Sequence, residues 1–216
     1  MDTPHREKLT SLLFALIRNP GDALPWASHL PCWGRLPLDL GLPWFSYGAI
    51  RYLQNWLKPG HCAFEFGSGG STVFLARRVR QVYSVENDLG WQKRVAAKLA
   101  EENLSNAIVE YHDLVDDSRM AFENSRFSQR IAAQSWDVVV VDCYCGFQAA
   151  RYGVIRPAAM ELARQHTKIG GIVILDDSWM YPEQLAPRPG WEVTDFLGCG
   201  PARVGTTSTA VFRRVA

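Results

Sequence analysis

The stretch best suited to chemistry is Phe64-Glu65-Phe66-Gly67-Ser68-Gly69-Gly70-Ser71-Thr72, set where an apolar run gives way to a helical pattern. Glycines let a backbone approach a ligand closely, and a helix start offers unpaired N–H groups, so a nucleotide suits this bend. Residue types narrow the choice. The run lacks Gly-Lys-Ser/Thr, which removes the lysine a phosphate-binding loop needs. Thr72 stands where a dinucleotide fingerprint takes its third glycine, and Glu65 repels a pyrophosphate. A carboxylate there favours a ligand with an amino cation and a sulfonium. Glu86 follows 21 residues after Glu65, at the end of the next apolar run, where an acid accepts both hydrogens of a ribose diol. Alone, the bend is also compatible with an ordinary loop, and Glu86 with an acid capping the next helix.

Alternating short strands and helices would position these residues. Cys62 to Phe66 reads as a strand, Ser71 to Val79 as a helix, and Gln81 to Glu86 as a second strand. Asn87 or Asp88 caps a long helix with Trp91, Val95 and Leu99 at helical spacing. Ala107 to Tyr111 is a third strand, and Trp136 to Asp142 a fourth, apolar on both faces. A helix over Val154 to Gln165 leads to Gly170-Gly171 and a strand from Ile172 to Leu175. This order predicts an α/β fold, doubly wound, with a mostly parallel sheet and helices on both faces. Trp191 to Leu197 and Ser208 to Arg213 have no helix between them, so they pair antiparallel. Residues 1–60 differ: Leu9 to Arg18 and Ser46 to Leu57 look helical, with an irregular Pro-rich stretch from Pro20 to Pro43 between them. They read as an N-terminal cap without a core of its own, lying on a 61–216 core domain.

Taken in order, Glu65-x-Gly67-x-Gly69-Gly70-Ser71-Thr72, Val85-Glu86-Asn87, His112-Asp113, Trp136 to Asp142 and Gly170-Gly171-Ile172-Val173-Ile174-Leu175-Asp176-Asp177 resemble the class I S-adenosylmethionine (SAM)-dependent methyltransferases, over roughly residues 61 to 213. The resemblance implies a seven-stranded sheet whose last strand is antiparallel. It also implies that Glu65 and the bend Gly67, Ser68, Gly69, Gly70, with Ser71 and Thr72, hold the methionine part of SAM. Glu86 would bind the ribose, with Asn87 a further cofactor-binding residue, Asp113 with its neighbours would border the adenine, and Asp142 would sit at the amino group or beside the acceptor. The segment Pro43-Trp44-Phe45-Ser46-Tyr47 resembles one that helps close the cofactor site in bacterial members.

Methyl transfer is an in-line displacement in which the cofactor carries the driving force and the protein aligns the nucleophile and excludes water. A hydroxyl acceptor gains from a general base or a metal, and Asp142, Asp176 and Asp177 at strand ends are the candidates, with Asp142 and Asp177 the expected catalytic pair. Asp142, Asp176 and Asp177 loosely resemble the metal site of catechol-type O-methyltransferases, which would admit Mg²⁺. Asp177 replaces the expected Asn and adds negative charge, so no metal is expected. Trp44, Tyr47, Tyr144 and Trp179 are candidate acceptor-pocket walls, while His29, His61 and His166 read as surface or satisfied core residues. Oxygen is the expected acceptor atom because Asp142-Cys143-Tyr144-Cys145 stands where nitrogen-methylating members carry an Asn/Asp-Pro-Pro-Tyr motif.

Composition agrees with a small acceptor. The net charge is +1, from 23 basic and 22 acidic residues, and no long basic run is present, which argues against nucleic acid. The five cysteines include no C-x-x-C pair and predict reduced thiols in a cytoplasmic protein. No apolar stretch approaches the ~20 residues a bilayer span requires. A SAM-binding module without catalysis and a nicotinamide-dependent oxidoreductase are the alternatives; Glu65 and Thr72 weigh against the second.

Overall fold

The computed structural model describes residues 5–32, 35–114, 118–143 and 152–216. Five strands lie in one direction side by side: β1 (Cys62–Phe66), β2 (Gln81–Glu86), β3 (Ala107–Tyr111), β4 (Trp136–Val141) and β5 (Thr167–Asp176). β6 (Trp191–Gly198) and β7 (Thr207–Arg214) complete a seven-stranded sheet in the order β3-β2-β1-β4-β5-β7-β6. β7 runs antiparallel to both neighbours, so it alone opposes the other six. The chain winds outward in both directions from β1 and β4, which leaves a crevice at their carboxyl ends. In open α/β sheets ligands bind at that reversal.

The first sheet face carries an apolar core that draws in the N-terminal region. The helices α1 (His5–Arg18), α2 (Ala23–Ser28), α3 (Pro37–Leu40) and α4 (Tyr47–Trp56) precede the sheet. Leu12, Leu38, Phe45, Ile50 and Leu53 are buried there with Val138, Val140, Ile172 and Ile174 of the sheet. α5 (Gly70–Ala76) and α6 (Leu89–Glu101) cover the same face through Val73, Phe74, Val95 and Leu99. The opposite face packs against α7 (Arg119–Asn124), α8 (Arg126–Gln129) and α9 (Tyr152–His166), through Phe122, Phe127, Ile155, Ala159 and Met160.

Three elements depart from the sequence reading. The Pro-rich stretch is not irregular throughout: it folds into short helical turns, with Pro20 and Pro37 at their first positions, where the fixed φ and missing N–H of proline cost nothing. β5 begins at Thr167, five residues before the expected start. Trp136 pairs with Thr167 and Val138 with Ile172, so the extra residues form a bulge in β5. Gly170 turns there at φ +82, and a Cβ on Gly171 would stand 2.8 Å from the Asp137 carbonyl. α7 and α8 were not foreseen. Each is too short to show a helical period, and each is started by a serine, Ser118 and Ser125, whose hydroxyl accepts the N–H of Ala121 and Ser128.

Candidate functional site

β1 ends in the glycine bend because its last residues must pass close to β4. Gly67 adopts φ +96, and a Cβ on it would lie 2.9 Å from the Asp142 carbonyl, so only glycine fits. Thr72 Oγ1 accepts the Gly69 N–H at 3.0 Å and folds the bend onto the start of α5. Gly70 serves a different contact: a Cβ there would stand 1.9 Å from the Leu42 carbonyl, where the N-terminal strap crosses the helix. Ser71 is buried beside it.

Two acids follow from the strand ends. Glu65 is fully buried in β1; its Oε2 accepts the Ser84 hydroxyl at 2.6 Å, and its Oε1 has no hydrogen-bond partner. Burial raises its pKa to about 7, against the lowering effect of the Ser84, Thr72 and Ser71 hydroxyls. Glu86 at the end of β2 is also buried but collects four donors. Its Oε2 takes the N–H and hydroxyl of Ser68 at 3.0 and 2.7 Å, and its Oε1 takes the N–H groups of Asn87 and Asp88 at 2.9 and 3.0 Å. Burial raises the Glu86 pKa, and these donors pull it back. The carboxylate thereby ties the β1 bend to the β2 turn.

Asp142 and Asp177 follow β4 and β5, and both touch Arg156, a buried residue of α9 that the sequence reading missed. Its Nη2 donates to Asp142 Oδ1 at 2.8 Å, its Nε to the Cys143 carbonyl at 3.0 Å and its Nη1 to the Asp176 carbonyl at 2.9 Å. Asp177 Oδ2 lies 4.0 Å from Nη1. One guanidinium therefore holds the ends of both strands together. Burial raises the Asp142 pKa to about 6; Arg156 opposes the shift and Asp177 adds to it. Asp176 is buried, with Oδ1 accepting the Thr209 hydroxyl at 2.8 Å, and its pKa is raised well above the usual carboxylate value, chiefly by burial. Asp177 sits at φ 51, an unusual conformation for a residue other than glycine, and its Oδ1 accepts from Thr207 Oγ1 and Trp179 Nε1 at 3.2 Å each. The three carboxylates thus face an arginine and hydroxyl groups. Among the described residues no group of three or more His, Cys, Asp or Glu is placed to hold a metal ion.

A cleft of about 760 Å³ opens over this end of the sheet, within the size range of small-ligand pockets. Gly67, Ser68, Glu86, Asn87 and Asp142 form its floor and sides, with Asp88, Leu89, Gly90 and Trp91 at the start of α6 and Leu36 and Trp44 from the N-terminal region. No Lys or Arg is among the described residues that line it. Trp91, expected on a helix face, lines the cleft, with Nε1 donating to the Ser68 carbonyl at 2.7 Å. Its position one turn after the helix-capping Asp88 was the available signal.

The expected acceptor walls separate. Trp44 is half exposed and lines the cleft, whereas Tyr47 is buried and bonds to His29 and the Pro25 carbonyl within the N-terminal region. Trp179 is exposed beside Asp177. Asp113 is exposed just beyond β3, and Tyr144 lies outside the described residues. His112 donates its backbone N–H to the Glu86 carbonyl at 2.9 Å, which joins the ends of β2 and β3.

In sequence the chain matches no protein-family model and no curated protein. In three dimensions it is similar to solved methyltransferases. The O-methyltransferase TomG of Streptomyces achromogenes, solved in complex with SAM, superposes with a TM-score of 0.57 at 16% identity, over 82% of this chain and 85% of that one. An rRNA methylase of Streptococcus thermophilus gives 0.57 at 11% identity, over 79% and 96%. A methyltransferase of Geobacter sulfurreducens gives 0.55 at 14%, over 79% and 80%. The chain has the Rossmann-like fold of the class I SAM-dependent methyltransferases.

Proposed function

We propose that this chain is a SAM-dependent methyltransferase acting on a small-molecule acceptor, with a hydroxyl oxygen as the methylated atom. The observation that carries the reading is the electrostatics of the cleft. It presents the carboxylates of Glu86, Asp88 and Asp142 and no basic side chain among its described lining. Such a wall suits a cation that carries a ribose diol and opposes the pyrophosphate of a dinucleotide. A buried, unpartnered carboxyl oxygen on Glu65 next to the bend adds a site that a cationic amino group would satisfy.

In this reading Glu65 and the bend from Gly67 to Thr72 hold the amino-acid end of SAM. Glu86 and Asn87 hold its ribose, and Asp113 borders its adenine. Bound SAM supplies a methyl carbon open to in-line attack. The chain's own work is alignment, exclusion of water and handling of one proton. Asp142 is the group for the proton: its pKa of about 6 leaves it mostly ionised near neutrality yet basic enough to take a hydroxyl proton as the acceptor attacks. Arg156 fixes Asp142 through Oδ1, and Oδ2 accepts no hydrogen bond among the described residues. Asp177 stands behind as the second carboxylate, with Trp44, Tyr144 and Trp179 as acceptor walls; Tyr47 acts by seating the strap that carries Trp44. The reaction needs no metal in this reading: Arg156 pairs with Asp142 at 2.8 Å and stands 4.0 Å from Asp177, two of the carboxylates a metal would use.

Residues 1–60 serve as a cap to the 61–216 core rather than as a separate unit. Cys32, Cys62 and Cys199 are free thiols, which suits a reducing, cytoplasmic setting. No helix among the described residues is long and apolar enough to cross a membrane. The test is transfer of label from methyl-labelled SAM to a panel of phenols, sugars and hydroxy acids. Label should enter at least one acceptor as a methyl ether, and Asp142→Asn should slow it ~10²–10⁴-fold, the range for loss of a general base. Labelled nitrogen or carbon products would refute the oxygen assignment. Binding of SAM without transfer to any of them would favour a non-catalytic module.

A further inference from the structure

We propose that Arg203, laid over Trp44 at the cleft, binds an anionic substituent of the methyl acceptor, a carboxylate or a phosphate. The inference rests on the methyl-transfer reading and names the acceptor class that reading leaves open. The Arg203 guanidinium lies 5.1 Å from the centre of the Trp44 ring, and Trp44 lines the cleft together with Asp142. Among the described residues no hydrogen bond or ion pair engages that guanidinium. Arg156, by contrast, spends its donors on Asp142 and two carbonyls.

The backbone that presents Arg203 is fixed on both sides. Its carbonyl accepts Trp26 Nε1 at 3.3 Å, and Val204 packs against the core of the first sheet face. Ala202 at φ 53 and Gly205 at φ 102 turn the loop twice around it, and the alanine holds a conformation disfavoured for a residue with a Cβ. A guanidinium held over an aromatic ring by cation–π attraction is preorganised, and its planar fork of donors matches a carboxylate or phosphate. Its positive charge opposes the burial-driven rise in the pKa values of Asp142 and Asp176. The charges therefore divide. The acidic, lysine- and arginine-free wall suits the cationic cofactor, and the arginine beyond Trp44 suits an acceptor of opposite sign.

The experiment titrates the full chain, loaded with S-adenosylhomocysteine (SAH), with benzoate, inorganic phosphate and benzamide by calorimetry. At least one anion should bind, with benzamide at least tenfold weaker than benzoate if a carboxylate is the preferred group. Preference for phosphate over benzoate would assign a phosphorylated acceptor. Arg203→Gln should weaken anion binding at least tenfold, Arg203→Lys should retain part of it, and both should bind SAH within twofold of the parent. The proposal is overturned if neither anion binds, if benzamide matches the better anion, or if Arg203→Gln binds anions as the parent does. Absence of SAH binding by the parent protein is a separate result, and it removes the methyl-transfer reading on which the proposal stands.

Discussion

Replacing Glu86 by glutamine separates the structural and ligand-binding parts of its carboxylate. In the parent, four donors converge on two oxygens: the N–H and hydroxyl of Ser68 on one, and the N–H groups of Asn87 and Asp88 on the other. Glutamine keeps one acceptor oxygen and places an NH₂ at the second position. The least costly orientation directs the oxygen to Asn87 and Asp88, because the Ser68 hydroxyl can turn to accept from the NH₂. One buried donor, the Ser68 N–H, is then left facing an NH₂, at a cost of about 1–3 kcal/mol. At about 2–4 °C per kcal/mol for a chain of this size, the melting temperature should fall by roughly 2–12 °C. The variant should therefore fold, and its affinity for SAM can be read. Loss of charged hydrogen bonds to the ribose, worth about 1.5–3 kcal/mol, predicts affinity lower by ~10–100-fold. The assays are differential scanning fluorimetry and calorimetry with SAM. A folded Glu86→Gln protein that binds SAM as tightly as the parent would refute the ribose role.

Three further outcomes follow from the same geometry. Glu65 ionises near 4.5 in the unfolded chain but near 7 when folded, so its contribution favours folding below about pH 4.5 and is lost as pH rises through 7. The stability of the parent relative to Glu65→Gln should fall across that window by on the order of 3 kcal/mol and level off above it; urea unfolding at pH 5 to 8 measures this, and a difference independent of pH would contradict it. Arg156→Met leaves Asp142, Asp176 and Asp177 without their common cation and should cost about 3–5 kcal/mol in urea unfolding, with part recovered near pH 5; a loss below about 1 kcal/mol would show that the arginine is dispensable. Gly70→Ala should destabilise by ~1–3 kcal/mol or more because its Cβ meets the Leu42 carbonyl, whereas Gly60→Ala, with open space around it, should change little; equal effects would remove the strap contact from the account.

Local signals made much of this molecule legible. Strands such as Trp136–Val141 are short apolar runs bounded by glycine, serine or acid, and their alternation with helices fixes a parallel sheet without reference to distant contacts. The acids at strand ends were legible for the same reason, since the end of an apolar run is visible in the chain. Arg156 was not. It lies 14 residues beyond Asp142, in mid-helix, and only the packing of α9 brings its guanidinium under β4 and β5. Arg203 and Trp44 meet across 159 positions of sequence, so no spacing rule joins them. Gly70 was assigned with its neighbours to the cofactor, yet its missing side chain makes room for Leu42, a contact set by the N-terminal strap. The bulge of β5 at Gly170 and Gly171 was hidden because a glycine pair in sequence looks the same in a turn as in a strand.

In the proposed function, the acidic cleft at the β1–β4 reversal recognises an adenosyl ligand bearing a positive charge. Calorimetry on the purified chain with SAM, SAH and NAD side by side tests it directly. Saturable one-site heat is expected with SAM and SAH, at least tenfold tighter than any with NAD. Folded protein that gives no heat with either adenosyl compound, or that prefers NAD, would contradict it.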